Sequence, residues 1–141
     1  NTSQTLLGLD FGDKTIGIAV SDKTKTIATP IMTLKRESIL KDIDNLVAIT
    51  NEYEVGGVVL GLPLSLDGNE NERTKKVRFF AEELNKKIKV TFYDERFSTD
   101  VIYKELRKNK ISSNKIKKKI DQLSASYILQ GFLDNIKNDL R

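Results

Sequence analysis

Asp10, Glu95 and Asp121 are the residues of this chain whose types and positions could do chemistry. Asp10 closes the apolar run Leu6-Leu7-Gly8-Leu9, and Glu95 follows a second run, Val90-Thr91-Phe92-Tyr93. Asp121 stands near the start of the last long helical pattern. Carboxylates gathered from three such places could hold divalent cations. The chain has no histidine and no cysteine. That excludes imidazole acid–base catalysis, Ser-His-Asp triads, thiolate nucleophiles, disulfides and Cys/His zinc sites. Carboxylate, hydroxyl, lysine and arginine chemistry remain, together with oxygen-ligand metals such as Mg²⁺ or Mn²⁺.

A chain of 141 residues predicts one domain, residues 1–141. Apolar residues make up 38% and charged residues 31%, the balance of a globular protein rather than a disordered one. No apolar stretch is long enough to cross a bilayer, and the first residues show no basic-then-apolar leader. A cytoplasmic location with no membrane partner is therefore expected. The net charge of +4 is unevenly spread. Residues 104–119 hold eight Lys/Arg and one acid, a net of +7 that leaves −3 for the rest. A basic block beside a cluster of acids suits a polyanion gripped near a metal site. Lys117, Lys118 and Lys119 are placed for phosphate backbone rather than base edges, with Lys14 and Arg96 as further phosphate-contact candidates.

The elements that must position these groups follow from periodicity. Thr5 to Asp10 and Thr15 to Ser21 read as strands of a hairpin around the turn Phe11-Gly12-Asp13-Lys14. Ile27 to Thr33 reads as a third strand, at a sheet edge because it contains Pro30. Ile39, Ile43, Leu46, Val47 and Thr50 share a helical face. Val55 to Gly61 is a short apolar strand of the kind buried mid-sheet. A loop with Pro63 and Asp67-Gly68 leads to a helix with Val77, Phe80, Ala81 and Leu84 inward. Lys89 to Tyr93 is the fifth strand. Ser98 and Thr99 can cap a helix through Val101, Ile102 and Leu106. The final helix runs from about Lys115 towards Lys137.

The order β-β-β-α-β-α-β-α-α predicts an α/β fold. Three antiparallel strands are followed by two parallel ones in a mixed five-stranded sheet flanked by helices. Residues at the carboxyl ends of the parallel strands then meet at one crevice. Asp121 shares a helix stripe with Ala125, Ile128 and Phe132, on the side facing the sheet. A carboxylate there needs a cation, either a metal shared with Asp10 or a nearby lysine. Spacing alone does not choose between Asp94 and Glu95 as the acid after the fifth strand.

Five segments, in order, resemble the YqgF/RuvX family of the ribonuclease H-like superfamily, related to RuvC-type Holliday junction resolvases. Leu9-Asp10-Phe11-Gly12 with Ile16-Gly17-Ile18-Ala19-Val20-Ser21-Asp22 resembles its opening hairpin. Gly61-Leu62-Pro63-Leu64 with Asp67-Gly68 resembles its strand-to-loop signature. The helix with Val77 and Phe79-Phe80 fits. Asp94-Glu95-Arg96-Phe97-Ser98-Thr99 is similar to its DER-x-S/T motif. Lys117-Lys118-Lys119-Ile120-Asp121, Ala125 and Ile128-Leu129-Gln130 resemble its last helix. Thr15, Ser65 and Ser124 depart from the residues usual there (Arg, Asn and Ala), and Ser124 stands where RuvC-type resolvases carry a further Asp.

The resemblance implies a ribonuclease H-like fold, an acidic triad of Asp10, Glu95 and Asp121, and a metal-dependent phosphodiesterase. Its expected cofactors are two Mg²⁺ or Mn²⁺ ions, with Asp10 bridging them at the sheet centre. It implies nucleic-acid partners: processing of the 5′ end of the 16S ribosomal RNA precursor, with ribosomal precursor particles as the setting. The alternative is a Holliday junction resolvase, which cuts two strands symmetrically and so calls for a dimer. A nucleic-acid-binding module without turnover is the third reading. No dimer seam is legible, so the expectation is a monomer or weak homodimer.

Overall fold

The computed structural model describes residues 4–96 and 113–139, with side chains for residues 4–96 and 123–137. The five strands are β1 (Thr5–Phe11), β2 (Thr15–Ser21), β3 (Ala28–Lys35), β4 (Val55–Leu62) and β5 (Val90–Asp94). The helices are α1 (Ile39–Glu52), α2 (Glu72–Asn85) and α3 (Ser113–Asp139). The helix expected through Val101 and Leu106 lies outside the described residues.

The strands lie in the order β3-β2-β1-β4-β5. The tight turn after β1 forces β2 to pair antiparallel with it, and β3 pairs antiparallel with β2. β4 and β5 arrive through helical crossovers and pair parallel to β1 and β4. β3 is an edge strand, as Pro30 requires. The mixed sheet with flanking helices is the architecture expected.

Alternation along the strands separates two apolar layers. Leu7, Leu9, Phe11, Ile16 and Leu60 pack with Ile43, Leu46, Val77, Phe80 and Leu84 of α1 and α2. Ala19 and Val59 pack with Ala125, Ile128, Leu129 and Leu133 of α3. The inward stripe expected for α2 is buried in full.

On the α1 face, Asp42 is only 2% exposed and departs from the simple apolar stripe. Arg36 Nε donates to its carboxylate at 3.1 Å, and the Glu37 backbone N–H does so at 2.9 Å. A buried charge so paired is tolerated. Arg36 also donates to the Gly12 carbonyl at 3.3 Å and lies 4.2 Å over the Phe11 ring, which stacks on Phe80 at 4.2 Å. The turn that follows Asp10 is thus tied down from below.

On the other face α3 lies directly on the backbone of β1. A Cβ at Gly8 would meet Leu129 Cβ at 2.6 Å and the Ala125 carbonyl oxygen at 2.8 Å. Gln130 locks the helix sideways. Its Oε1 accepts from the Ala28 N–H at 2.9 Å, and its Nε2 donates to the Thr26 carbonyl at 2.9 Å. The side-chain amide takes the place of a further strand at that end of β3.

Gly8→Ala is expected to destabilise the protein by about 1–3 kcal/mol, because backbone must move to admit the methyl group. Equilibrium urea unfolding measures this. An unchanged midpoint would show that α3 does not rest on Gly8.

Candidate active site

β1, β4 and β5 end at the same edge of the sheet. Leu9 is in register with Leu60, and Leu60 with Phe92. One residue further along lie Asp10, Gly61 and Tyr93, and Glu95 follows just beyond β5. The Glu95 N–H donates to the Leu62 carbonyl at 3.1 Å, which fixes its backbone at the end of β4.

Asp10 and Glu95 are separated by β4, since neighbouring strands stand about 4.8 Å apart. Gly61 lets them meet. A Cβ there would fall 2.6 Å from Glu95 Oε1, 2.7 Å from Glu95 Cγ and 2.6 Å from Ile128 Cδ1. With no side chain at 61, the Glu95 carboxyl folds back across β4 and hydrogen-bonds to the carboxylate of Asp10. Both residues are half-buried.

Burial is the main force raising the Glu95 pKa, from its ordinary 4.5 to about 8. The negative charge of Asp10 and the hydrogen bond to it add to the rise, and Arg73 on α2 opposes it. Two carboxyl groups this close and this buried repel, so the pair holds a proton more readily than exposed carboxyls would.

Asp94 takes a different course. Arg96 Nη2 donates to its Oδ2 at 2.6 Å, and Arg96 Nε bonds both carboxylate oxygens at 3.0 Å. These bonds hold the Asp94 carboxyl below its usual range. The same guanidinium donates from Nη1 to the Leu66 carbonyl at 3.2 Å. Arg96 therefore clasps the loop after β4 to the end of β5. Its guanidinium is partly exposed while making these bonds. Of the two adjacent acids, Glu95 reaches Asp10 and Asp94 serves the clasp.

The loop after β4 has its own supports. Asn71 Nδ2 donates to the Pro63 carbonyl at 3.2 Å and to Ser65 Oγ at 3.0 Å. Thr74 Oγ1 donates to the Pro63 carbonyl at 2.7 Å. Ser65 thus does structural work at the place where Asn is usual. Gly68 has φ +88°, which a side chain would strain, and lies against the Arg96 guanidinium.

Lys14 is exposed on the β1–β2 turn. Asp121, Lys117, Lys118 and Lys119 fall in the backbone of α3, with side chains outside the described residues. Among the described residues no group of three or more acids could hold a metal ion. Arg73 was not singled out from the sequence. Nothing in its immediate neighbours distinguishes it from other charged residues of α2; only the folded position of that helix brings it near Glu95.

Hard carboxylate oxygens crowded in a half-buried crevice suit Mg²⁺ or Mn²⁺.

Residues 4–135 match the model of the RuvX Holliday junction resolvase family. The chain belongs to that family. Relatives in the family bear the name "Putative pre-16S rRNA nuclease". The one from Ruegeria pomeroyi is 43% identical over 135 residues, spanning 94% of this chain and 88% of its own. The one from Paramagnetospirillum magneticum is 43% identical over 134 residues, spanning 94% and 86%. Among solved structures, Thermus thermophilus RuvC in complex with a Holliday junction superposes with a TM-score of 0.55 at 12% identity, covering 95% of this chain and 96% of that one. The fowlpox virus Holliday junction resolvase gives 0.51 at 15%, covering 94% and 99%. At such identity these two show the fold, which is the ribonuclease H-like one.

Burial and the neighbouring Asp10 push the Glu95 pKa up from its ordinary 4.5 to about 8 in the folded protein. The stability it contributes is complete below the lower value and is lost as pH rises through the higher one. In chelator, the melting temperature should fall on going from mildly acidic to mildly alkaline buffer. Asp10→Asn removes the opposing charge and should melt about 2–5 °C higher than wild type on the alkaline side. That advantage should vanish on the acid side. Parallel melting curves across pH would contradict the coupling of the two carboxyls.

Proposed function

We propose that this RuvX-family protein is a single-domain, divalent-metal-dependent endonuclease of structured nucleic acid that processes the 5′ end of the 16S ribosomal RNA precursor. The observation that carries this reading is the contact between the Asp10 and Glu95 carboxyls across Gly61. The names of the relatives at 43% identity favour ribosomal RNA over branched DNA as substrate. The family model and the fold shared with RuvC support a second reading, Holliday junction resolution. No helix among the described residues is long and apolar enough to cross a membrane. A cytoplasmic site of action, on ribosomal precursor particles, completes the proposal.

Asp121 is the third acid of the proposed site. α3 runs antiparallel to β1, since Ala125 and Leu129 cover Gly8 while Phe132 lies near Gln4 and Thr5. Residue 121 precedes Ala125 by about 6 Å along the helix, at 1.5 Å per residue. Asp10 lies two strand residues beyond Gly8, about 6.6 Å in the same direction. The two displacements agree, which supports a position for residue 121 near the end of β1.

Asp10, Glu95 and Asp121 would hold one or two Mg²⁺ or Mn²⁺ ions. Bound there, the metal would lower the pKa of a water and stabilise the departing oxygen, chemistry that a chain without histidine must obtain from ions. Binding would require Glu95 to give up its proton, so Glu95 would couple metal affinity to pH. The Arg36–Gly12 and Arg96–Leu66 contacts hold the turn after Asp10 and the loop after β4 on either side of the pair. Lys14 and the lysines at 117, 118 and 119 would meet the phosphate backbone, with affinity that falls steeply as salt rises.

The deciding experiment incubates wild type, Asp10→Asn, Glu95→Gln and Asp121→Asn with 16S precursor RNA and with a four-way DNA junction, in Mn²⁺ and in chelator. Each substitution should slow cleavage roughly a thousandfold, about 4 kcal/mol of transition-state stabilisation. Chelator should abolish it. RNA cut ahead of the junction supports the first reading, and the reverse supports resolution. Nucleic-acid affinity without cleavage in Mn²⁺ would end both.

Gly61→Ala supplies a subtler test. The added methyl would displace the Glu95 carboxyl and the tip of Ile128. Calorimetry should show Mn²⁺ affinity falling about ten- to a hundredfold. Undiminished affinity would show that Glu95 need not cross β4.

A further inference from the structure

We infer that Arg73, with Lys76 one turn later, forms a basic ridge on α2 that takes a phosphate of the substrate strand lying over the Asp10–Glu95 pair. This rests on the nuclease reading of that site. The ridge is placed by contacts that also build the site. Asn71 and Thr74 flank Arg73, and both bond the Pro63 carbonyl, at 3.2 and 2.7 Å. The preceding carbonyl, Leu62, receives the Glu95 N–H at 3.1 Å. The start of α2 and the backbone of Glu95 therefore hang from two successive residues at the end of β4. Lys76 shares a helix face with Arg73, three residues apart. Its Nζ reaches Asp13 Oδ1 at 3.4 Å, on the turn that follows Asp10. That side of α2 thus looks across the mouth of the crevice from the β1–β2 turn to Glu95.

Two neighbouring cations already hold acids. Arg96 is bound to Asp94 and Lys76 to Asp13. Arg73 is exposed and enters none of the ion pairs among the described residues. Its influence reaches Glu95, as an acid group close to a guanidinium must feel. A phosphodiester brought to the acid pair would come within range of that guanidinium. Its planar fork matches two phosphate oxygens, whereas the ammonium of Lys76 offers a point charge on a weak, exposed ion pair. The lysine-rich stretch of residues 104–119 lies in a different part of the chain, so α2 would give the strand a second line of contact.

The test reads binding and needs no turnover. A fluorescent RNA hairpin with a single-stranded 5′ extension and a four-way DNA junction are titrated in chelator over a range of KCl concentrations. Wild type, Arg73→Gln and Arg73→Lys are compared. Arg73→Gln should weaken binding about five- to tenfold and reduce the slope of log affinity against log salt by about 0.7–0.9, one phosphate contact. Arg73→Lys should keep the wild-type slope, and all three proteins should melt alike. An unchanged slope in Arg73→Gln, or no binding of either probe by wild type, overturns the inference. Failure of the nuclease reading shows elsewhere, as wild-type cleavage by Asp10→Asn, and leaves the salt slope intact.

Discussion

Two carboxyl groups pressed together in a half-buried crevice repel unless one keeps its proton or a cation lies with them. Asp10 and Glu95 are held in that condition by backbone. Asp10 cannot retreat, because it belongs to a central strand paired on both sides. The backbone of Glu95 is fixed at the same end of the sheet by its N–H bond to Leu62. Gly61 removes the one obstacle between them. The surrounding structure, from the close seat of α3 to the clasp made by Arg96, keeps this unfavourable contact in place.

The molecule sustains it by rigidity on both faces of the sheet. Below, Arg36 links buried Asp42 to the Gly12 carbonyl and to the Phe11 ring, so the turn after Asp10 rests on the main core. Above, Gly8 lets α3 touch the sheet backbone, and Gly131 lets the Tyr93 side chain of β5 lie against the helix. A Cβ on Gly131 would run into the Tyr93 hydroxyl. A helix held so closely has little freedom to rotate or slide. Gln130 completes the lock by bonding Thr26 and Ala28.

A single cut at a phosphodiester asks for acids to hold cations and for bases to hold the strand, two sets of charges that would cancel if they met. The nearby bases that pair do so with acids other than Asp10 and Glu95: Arg96 is turned toward Asp94 and the loop at Leu66, and Lys76 toward Asp13, while Asp10 and Glu95 face each other. Family membership and the ribonuclease H-like fold place this chain among proteins for which such a division of charge would serve a nucleic-acid substrate.

Much of this could be read before folding. Missing histidine and cysteine narrow the chemistry. Periods of two and near four locate the described strands and helices to within a few residues, because burial of one face is a local demand on the sequence. The hairpin, the edge position of Pro30 and the parallel crossovers follow from turn lengths and connection rules. What tertiary structure alone decided was which atoms meet. Asp94 and Glu95 are adjacent in the chain, and only the register of β5 against β4 sends one to Arg96 and the other over Gly61. Buried Asp42 and the nearness of Arg73 to Glu95 are likewise products of packing between distant segments, which leave no mark in the spacing of residues along the chain.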